Sequence, residues 1–395
     1  MKIVTLSTYP ISEPRHGGQH RLANIVREFQ RAGHEVHSLG ILGGEGLPAE
    51  EGFLPFPSRA VLGRYIENAW LMEDWALGRW AADDAGGFAE LSAALPPDVD
   101  VIHVEQPWLF AFAQRLRARA RRRLHLIYGS ANVEHRLKQE ILTPILGAEH
   151  AERCAAMVLE CEIHALRAAD AVCTVSEADA EWSRQYTRAP LILAPNGVAD
   201  RSFSFEDVKA ANQHTGHHRY ALFCASGHPP NIVGFYDLFG DGIGCLAPSD
   251  RLVVAGGAGP AILDDPRARS TPGLERHLIA AGTVSEGVLA ALLTHAHTII
   301  LPITQGGGTN LKTAEALWSG SRVVATSVAM RGFEAFLHAP GVAVADDSTR
   351  FRRAVRESIT APPLQLDAAE RARRRVVLWE ECLQPLVRHV GGIGA

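Results

Sequence analysis

The feature that most constrains this chain is a recurring order: a short β-branched run, a loop rich in glycine or proline, an amphipathic helix, and another β-rich run. Residues 2–7 read as a first strand. A loop with Pro10, Pro14, Gly17 and Gly18 follows. Leu22, Ile25, Val26 and Phe29 then recur at helical spacing, Gly33 closes the helix, and residues 35–39 form the next strand. Two strands joined through a helix must run parallel in one sheet, with helices covering its faces. Further strands are predicted at 100–104, 124–128, 171–175 and 191–194, with helices over 109–122 and 151–168. Another helix starts at Ser176, where Asp179 completes a capping box. Residues 198–219 are polar, lack a clear period and read as a linker.

A second series follows, with strands at 220–225, 251–255, 277–280, 298–301, 322–326 and 342–345. Helices are predicted from Ser285 to His295 and from Asn310 to Ser319, the latter stopped by Gly320. The tail is helical, and 379–390 is apolar enough to dock. The expected fold is α/β: two Rossmann-like, doubly wound parallel-sheet domains facing across a cleft. They cover 1–198, with the tail helix of about 379–395 packing back, and 199–378. A length of 395 residues fits two or three domains.

Composition removes several function classes. With 39 Lys+Arg against 44 Asp+Glu, the net charge of -5 argues against a nucleic-acid binder. No apolar run reaches the roughly 18 residues of a membrane-spanning helix. The first residues read as a strand rather than a signal peptide, and the six cysteines include no C-x-x-C pair. Buried thiols and a cytoplasmic location are therefore expected. The run Arg115, Arg117, Arg119, Arg121, Arg122, Arg123 reads first as a solvated helix end and second as a patch for peripheral contact with an anionic membrane.

The segment from Leu301 to Ala316, LPITQGGGTNLKTAEA, carries the most chemistry. Three glycines stand between a strand and a helix, where backbone N–H groups can approach phosphate oxygens. The helix N-terminus adds partial positive charge. Lys312 opposes that dipole unless an anion is nearby. Glu315 follows at i+3 on the same face, so a surface Lys–Glu pair is the plainer alternative. Leu311, Ala314 and Trp318 are expected on the buried face.

This segment resembles the donor-site signature of family 4 glycosyltransferases, retaining enzymes of the GT-B fold. The strand that follows, Arg322-Val323-Val324-Ala325-Thr326, fits the same pattern. Supporting pieces, in the family's order, are Tyr9-Pro10 with Gly17-Gly18, Pro195-Asn196-Gly197-Val198, and His228-Pro229-Pro230-Asn231. The resemblance implies that Lys312 neutralises the donor's diphosphate and that Gly307, Gly308, Thr309 and Asn310 belong to the donor-binding loop. Glu315 would hold the ribose hydroxyls as the second glutamate of an E-x7-E pair, whose first position is here Gly307. Gly17 and Gly18 would approach the donor phosphates, and Gly282 and Thr283 would meet the base. Asn132-Val133-Glu134 resembles an N-V-E motif of one branch, often preceded by His, where this chain has Ala131. His103 is the candidate for part of the missing histidine's catalytic role, with a satisfied core histidine as its other reading. Glu134 and Glu105, each at a strand's carboxyl end, are the nearest carboxylates for a double displacement, while the resemblance implies a front-face retaining mechanism instead.

The implied activity is metal-independent, hexosyltransferase-like transfer of a sugar from a nucleotide diphosphate sugar, with no cofactor. The acceptor would be a sugar, glycolipid or small molecule, as in polysaccharide or glycoconjugate synthesis. A non-catalytic nucleotide-sugar-binding subunit and a GT-B epimerase remain alternatives. A Rossmann dehydrogenase is disfavoured, since no G-x-G-x-x-G follows the first strand.

Overall fold

The protein is described here by a computed structural model covering every residue except Arg15, Asn68, Gly307, Gly308, Gly394 and Ala395. The chain forms two compact units, Met1–Pro195 with Leu383–Ala395, and Asn196–Cys382. The first boundary falls three residues before the one expected at 198/199. The tail joins the first unit from Leu383 rather than from about 379.

The first unit is built on seven strands: β1 (Lys2–Ser7), β2 (Glu35–Ile41), β3 (Phe53–Leu54), β4 (Val101–Glu105), β5 (His125–Ser130), β6 (Ala171–Thr174) and β7 (Leu191–Leu193). All pairings are parallel, in the order β3-β2-β1-β4-β5-β6-β7. Helices that position its polar residues are α1 (Gly17–Arg31), α2 (Glu134–Leu146), α3 (Ala148–Ala168) and α4 (Glu177–Arg184). The central strands are buried on both faces, as a sheet covered by helices on each side requires, with one apolar face and a second that carries Thr5, Ser7, His103 and Glu105. Val4, Leu6, Ile102, Val104 and Leu126 are fully buried with Leu77, Phe110 and Phe112. Strand order reverses between β1 and β4, which both lie in mid-sheet, so their carboxyl ends open a crevice.

The second unit begins with α5 (Phe205–Thr215), inside the stretch expected to be a linker. Ser204 caps it, accepting from Asp207 N at 3.2 Å, while the Asp207 carboxylate returns to Ser204 N at 2.8 Å. That capping box outweighs a thin apolar stripe. Six parallel strands follow: β8 (Tyr220–Cys224), β9 (Arg251–Ala255), β10 (Leu278–Gly282), β11 (Thr298–Leu301), β12 (Arg322–Ala325) and β13 (Val342–Val344). Their order is β10-β9-β8-β11-β12-β13. The helices used below are α6 (Pro229–Phe239) and α7 (Leu311–Ser319). Leu222, Phe223, Val253, Val254, Ile300, Val323 and Val324 pack with Phe235, Phe239 and Phe351. Here order reverses between β8 and β11. The last helix, α8 (Gln384–Gly391), packs on β7 and α1 of the first unit.

Among the described residues no helix is long and apolar enough to cross a membrane. Four of the clustered arginines pair with carboxylates: Arg115 and Arg119 with Asp84, Arg117 with Asp170, and Arg122 with Asp98. The pairing favours the helix-end reading of that run over a membrane patch.

Candidate functional site

In the second unit the functional side chains gather where β8 and β11 end. After Leu301 the chain makes a turn in which Gly306 adopts φ +120, a conformation that side-chain-bearing residues avoid. Gly307 and Gly308 lie outside the described residues. Asn310 then caps α7, accepting from Lys312 N at 3.3 Å, and Gly320 ends the helix in the left-handed conformation. Of the face expected to be buried, Ala314 is, together with Thr313, Ala316 and Leu317. Leu311 and Trp318 are half-buried instead.

Lys312 and Glu315 do not form the i, i+3 pair that their spacing allows. Lys312 Nζ donates to Asn231 Oδ1 at 3.0 Å, and Glu315 Oε1 takes Arg201 Nη1 at 2.6 Å. Asn231, in the first turn of α6, is itself fixed by donating to Ser226 O at 2.9 Å. Burial holds the Lys312 ammonium below the ordinary lysine range, opposed by Cys224 and Glu315 nearby. The Cys224 thiol, at the end of β8, is pushed up to about 12, by burial first and Glu315 second. Thr309, 8% exposed, is pinned by Asn196, whose backbone N donates to Thr309 Oγ1 and whose Nδ2 donates to Thr309 O, both at 3.3 Å. Gly282 ends β10 with φ +66, and Thr283 beside it is exposed.

In the first unit, Gly17 and Gly18 are not loop residues; they form the first turn of α1 behind His16, whose N–H donates to Gln19 Oε1 at 3.3 Å. A Cβ on Gly18 would meet Tyr9 Oη at 2.9 Å, so the tyrosine ring occupies the room that glycine leaves. His103 has no exposed surface. Its Nε2 lies 2.9 Å from Glu105 Oε2, and Glu105 Oε1 lies 3.3 Å from the buried Arg21 of α1. Gly129 is glycine because a Cβ there would come within 2.4 Å of Glu105 Oε2, the oxygen beside His103. His103 thus sits inside a buried ionic network joining α1 to β4, where it can position Glu105 but touches no solvent.

Glu134 opens α2, 5% exposed. Its Oε1 accepts from Gln106 Nε2 at 3.2 Å and from Asn132 Nδ2 at 3.3 Å. Burial, reinforced by Glu162, outweighs these donors and pushes its carboxyl up to about 7. The amides at the α2 N-terminus are taken by Glu162 of α3, which accepts from Glu134 N at 2.7 Å and His135 N at 3.0 Å. Gln106 holds a left-handed φ of 65, unusual for its residue type, and accepts from Trp108 Nε1 at 3.2 Å.

Near the sites, Arg201, Gln106 and Glu162 carry no role legible in the sequence, and Tyr9 and Asn231 enter only as parts of motifs. A left-handed backbone or a partner a hundred residues away leaves no local pattern to read. Among the described residues no group of three or more His, Cys, Asp or Glu could hold a metal ion.

Two parallel-sheet units with polar residues at their switch points define the GT-B type of two-domain, Rossmann-like protein. Residues 15–201 match the family model described as Glycosyltransferase Family 4, and residues 221–360 match Glycosyl transferases group 1. The chain belongs to these glycosyltransferases. No curated protein sequence matches it. Sucrose-phosphate synthase from Thermosynechococcus elongatus superimposes with a TM-score of 0.70 at 15% identity, covering 99% of each chain. An alpha,alpha-trehalose-phosphate synthase (UDP-forming) from Burkholderia vietnamiensis gives 0.61 at 15%, over 100% of this chain and 99% of that one. The Anabaena protein HepE, in complex with UDP-glucose, gives 0.62 at 15%, over 99% of both.

Proposed function

We propose that this glycosyltransferase moves a hexose from a nucleotide diphosphate sugar to a hydroxyl-bearing acceptor with retention and without a metal. The observation that carries the reading is Lys312. Its ammonium is mostly buried at the first turn of α7 and bonded to a neutral amide, while the carboxylate one turn away is held by another residue. Such a cation is incompletely compensated until an anion arrives.

Breaking the sugar–phosphate bond leaves negative charge on the diphosphate. Lys312 and the amides of the α7 N-terminus would stabilise that charge as it develops. Gly307, Gly308, Thr309 and Asn310 would supply the phosphate loop, Gly282 and Thr283 the base contact, and Glu315 the ribose contact. Gly17 and Gly18, at the α1 N-terminus, are the first unit's own candidates for a donor contact. Glu134, the buried carboxyl at the α2 N-terminus whose pKa is pushed up to about 7, is the candidate for handling the acceptor's proton; His103 would position Glu105. HepE and the trehalose-phosphate synthase carry UDP chemistry in their own names, which makes UDP-sugars the first donors to try.

The test is incubation with UDP-, GDP-, ADP- and dTDP-sugars, with and without EDTA, scoring released nucleoside diphosphate. Release in EDTA supports metal-independent transfer. Release only after manganese is added overturns metal independence. Binding without release for every donor points to a binding subunit.

A further inference from the structure

Arg201 lies in a segment that runs beside α7 and is tied to it at three points. Asn196 holds Thr309 before the helix, Arg201 holds Glu315 in its middle, and Asp200 Oδ1 accepts from Trp318 Nε1 at 3.1 Å near its end. The side chains of Arg201 and Glu315 are 20% and 14% exposed, so the pair is largely desolvated and its geometry is held by the packing around it. Burial depresses the guanidinium's affinity for its proton, and the Glu315 side chain beside it outweighs that, so Arg201 stays charged.

Glu315 has a second cation within reach of its helix face, since Lys312 lies at i-3. Were the two to pair, the lysine would be neutralised and the carboxylate turned toward the phosphate loop. The structure shows a different division. Arg201 takes Glu315 through Oε1, Asn231 takes Lys312, and the two charges are kept apart. A carboxylate gripped on one oxygen presents the other in a fixed direction, which suits a ligand hydroxyl.

We propose that Arg201 is a positioning residue for nucleoside selection, holding Glu315 oriented to accept the ribose hydroxyls while keeping it off Lys312. This rests on the reading of the second unit as a nucleotide-sugar site and adds the residue that makes its ribose contact selective. A guanidinium is needed because it grips from a rigid plane; an ammonium at the same place would hold the carboxylate less directionally.

The experiment measures binding of UDP, GDP and ADP, each beside its 2′,3′-dideoxy counterpart, to the full chain by calorimetry. The wild type is expected to prefer at least one ribonucleotide by about tenfold or more, the size of one charge-assisted hydrogen bond. Arg201→Ala is expected to shrink that preference to about threefold or less, and Arg201→Lys to fall between. Arg201→Ala combined with Glu315→Gln should discriminate no worse than Glu315→Gln alone, since both act through one carboxylate. Inorganic pyrophosphate binding to Arg201→Ala, together with its melting temperature, separates a general loss of structure from a loss of selection. Discrimination kept in Arg201→Ala, or equal losses for ribo- and dideoxynucleotides, would overturn the role of Arg201 alone. A wild type that binds nucleotides without discriminating overturns the ribose reading of Glu315 and this inference with it. A wild type that binds no nucleotide overturns both this inference and the nucleotide-sugar site.

Discussion

Replacing Lys312 with methionine keeps the length of the side chain and removes its charge, so it separates what the ammonium does for the fold from what it does for a ligand. In the ligand-free protein two effects oppose each other. Burial disfavours the ammonium, and its removal relieves that cost. Against this, Asn231 Oδ1 loses its 3.0 Å donor on a residue only 6% exposed, a loss of about 1–3 kcal/mol. Because the two oppose each other, the melting temperature of the ligand-free variant should fall by less than the lost hydrogen bond alone would cause. Ligand binding has no such cancellation. A charge-assisted contact to phosphate is worth about 1.5–3 kcal/mol, so nucleoside diphosphate affinity should fall about 10- to 150-fold. At a ligand concentration near 100 times the wild-type Kd, binding stabilises the wild type by about 2.7 kcal/mol. A hundredfold weaker variant gains only about 0.4 kcal/mol, so its ligand-induced thermal shift nearly vanishes. The pH sign is also fixed. The ligand-free pKa is depressed and an anion favours the charged form, so wild-type affinity should fall as pH rises toward the ordinary lysine range, while the variant's should be flat. Thermal shift and calorimetry at several pH values check all three. Undiminished affinity would remove Lys312 from the phosphate site. A melting temperature lower by many degrees would show that the ammonium supports the fold instead.

Three further outcomes follow from the geometry. Glu134, with its carboxyl pushed up to about 7, binds its proton more tightly folded than unfolded. Its contribution is therefore present at low pH and is lost as pH rises through 7, so Glu134→Gln should gain on wild type by up to about 3 kcal/mol between pH 5 and pH 8 in denaturant titrations; an unchanging gap would contradict the burial argument. His125 and His389 pack ring to ring at 5.7 Å, neither His125 nitrogen nor His389 Nε2 has a hydrogen-bond partner among the described residues, and burial lowers both pKa values. Stability should accordingly drop as pH falls below about 6.5, and His125→Phe should flatten that slope of melting temperature against pH, whereas a parallel slope would acquit the pair. Gly18→Val should displace Tyr9, whose hydroxyl stands 2.9 Å from where the new Cβ would be, abolishing transfer while leaving nucleoside diphosphate affinity within about twofold; wild-type turnover in that variant would take Gly18 out of the site.

The sequence reveals these features unevenly, and the reason is the range over which each is decided. The 298–301 strand, its Pro302 stop, the Asn310 cap and the Gly320 stop are settled by residues within one turn of each other, so a local reading finds them. The α5 helix has a local signal too, the Ser204–Asp207 box. Yet Val208, Ala211 and Thr215 make too thin a stripe to show the face that packs against the Glu286–His295 helix, and the segment reads as a linker. The site divides along the same line. Thr309, Lys312 and Glu315 belong to one turn and one helix, so spacing alone shows that they lie close together. Asn231 is 81 residues from Lys312 and Arg201 is 114 from Glu315. What brings Asn231 to Lys312 is the pairing of β8 with β11, which sets whatever follows one strand beside whatever follows the other. Sequence spacing carries no record of strand order, so it points to an i, i+3 ion pair between Lys312 and Glu315. The fold gives each of them a distant partner instead, and that separation leaves the Lys312 ammonium, beside a helix N-terminus, bonded to a neutral amide rather than to a carboxylate, the condition a diphosphate site needs.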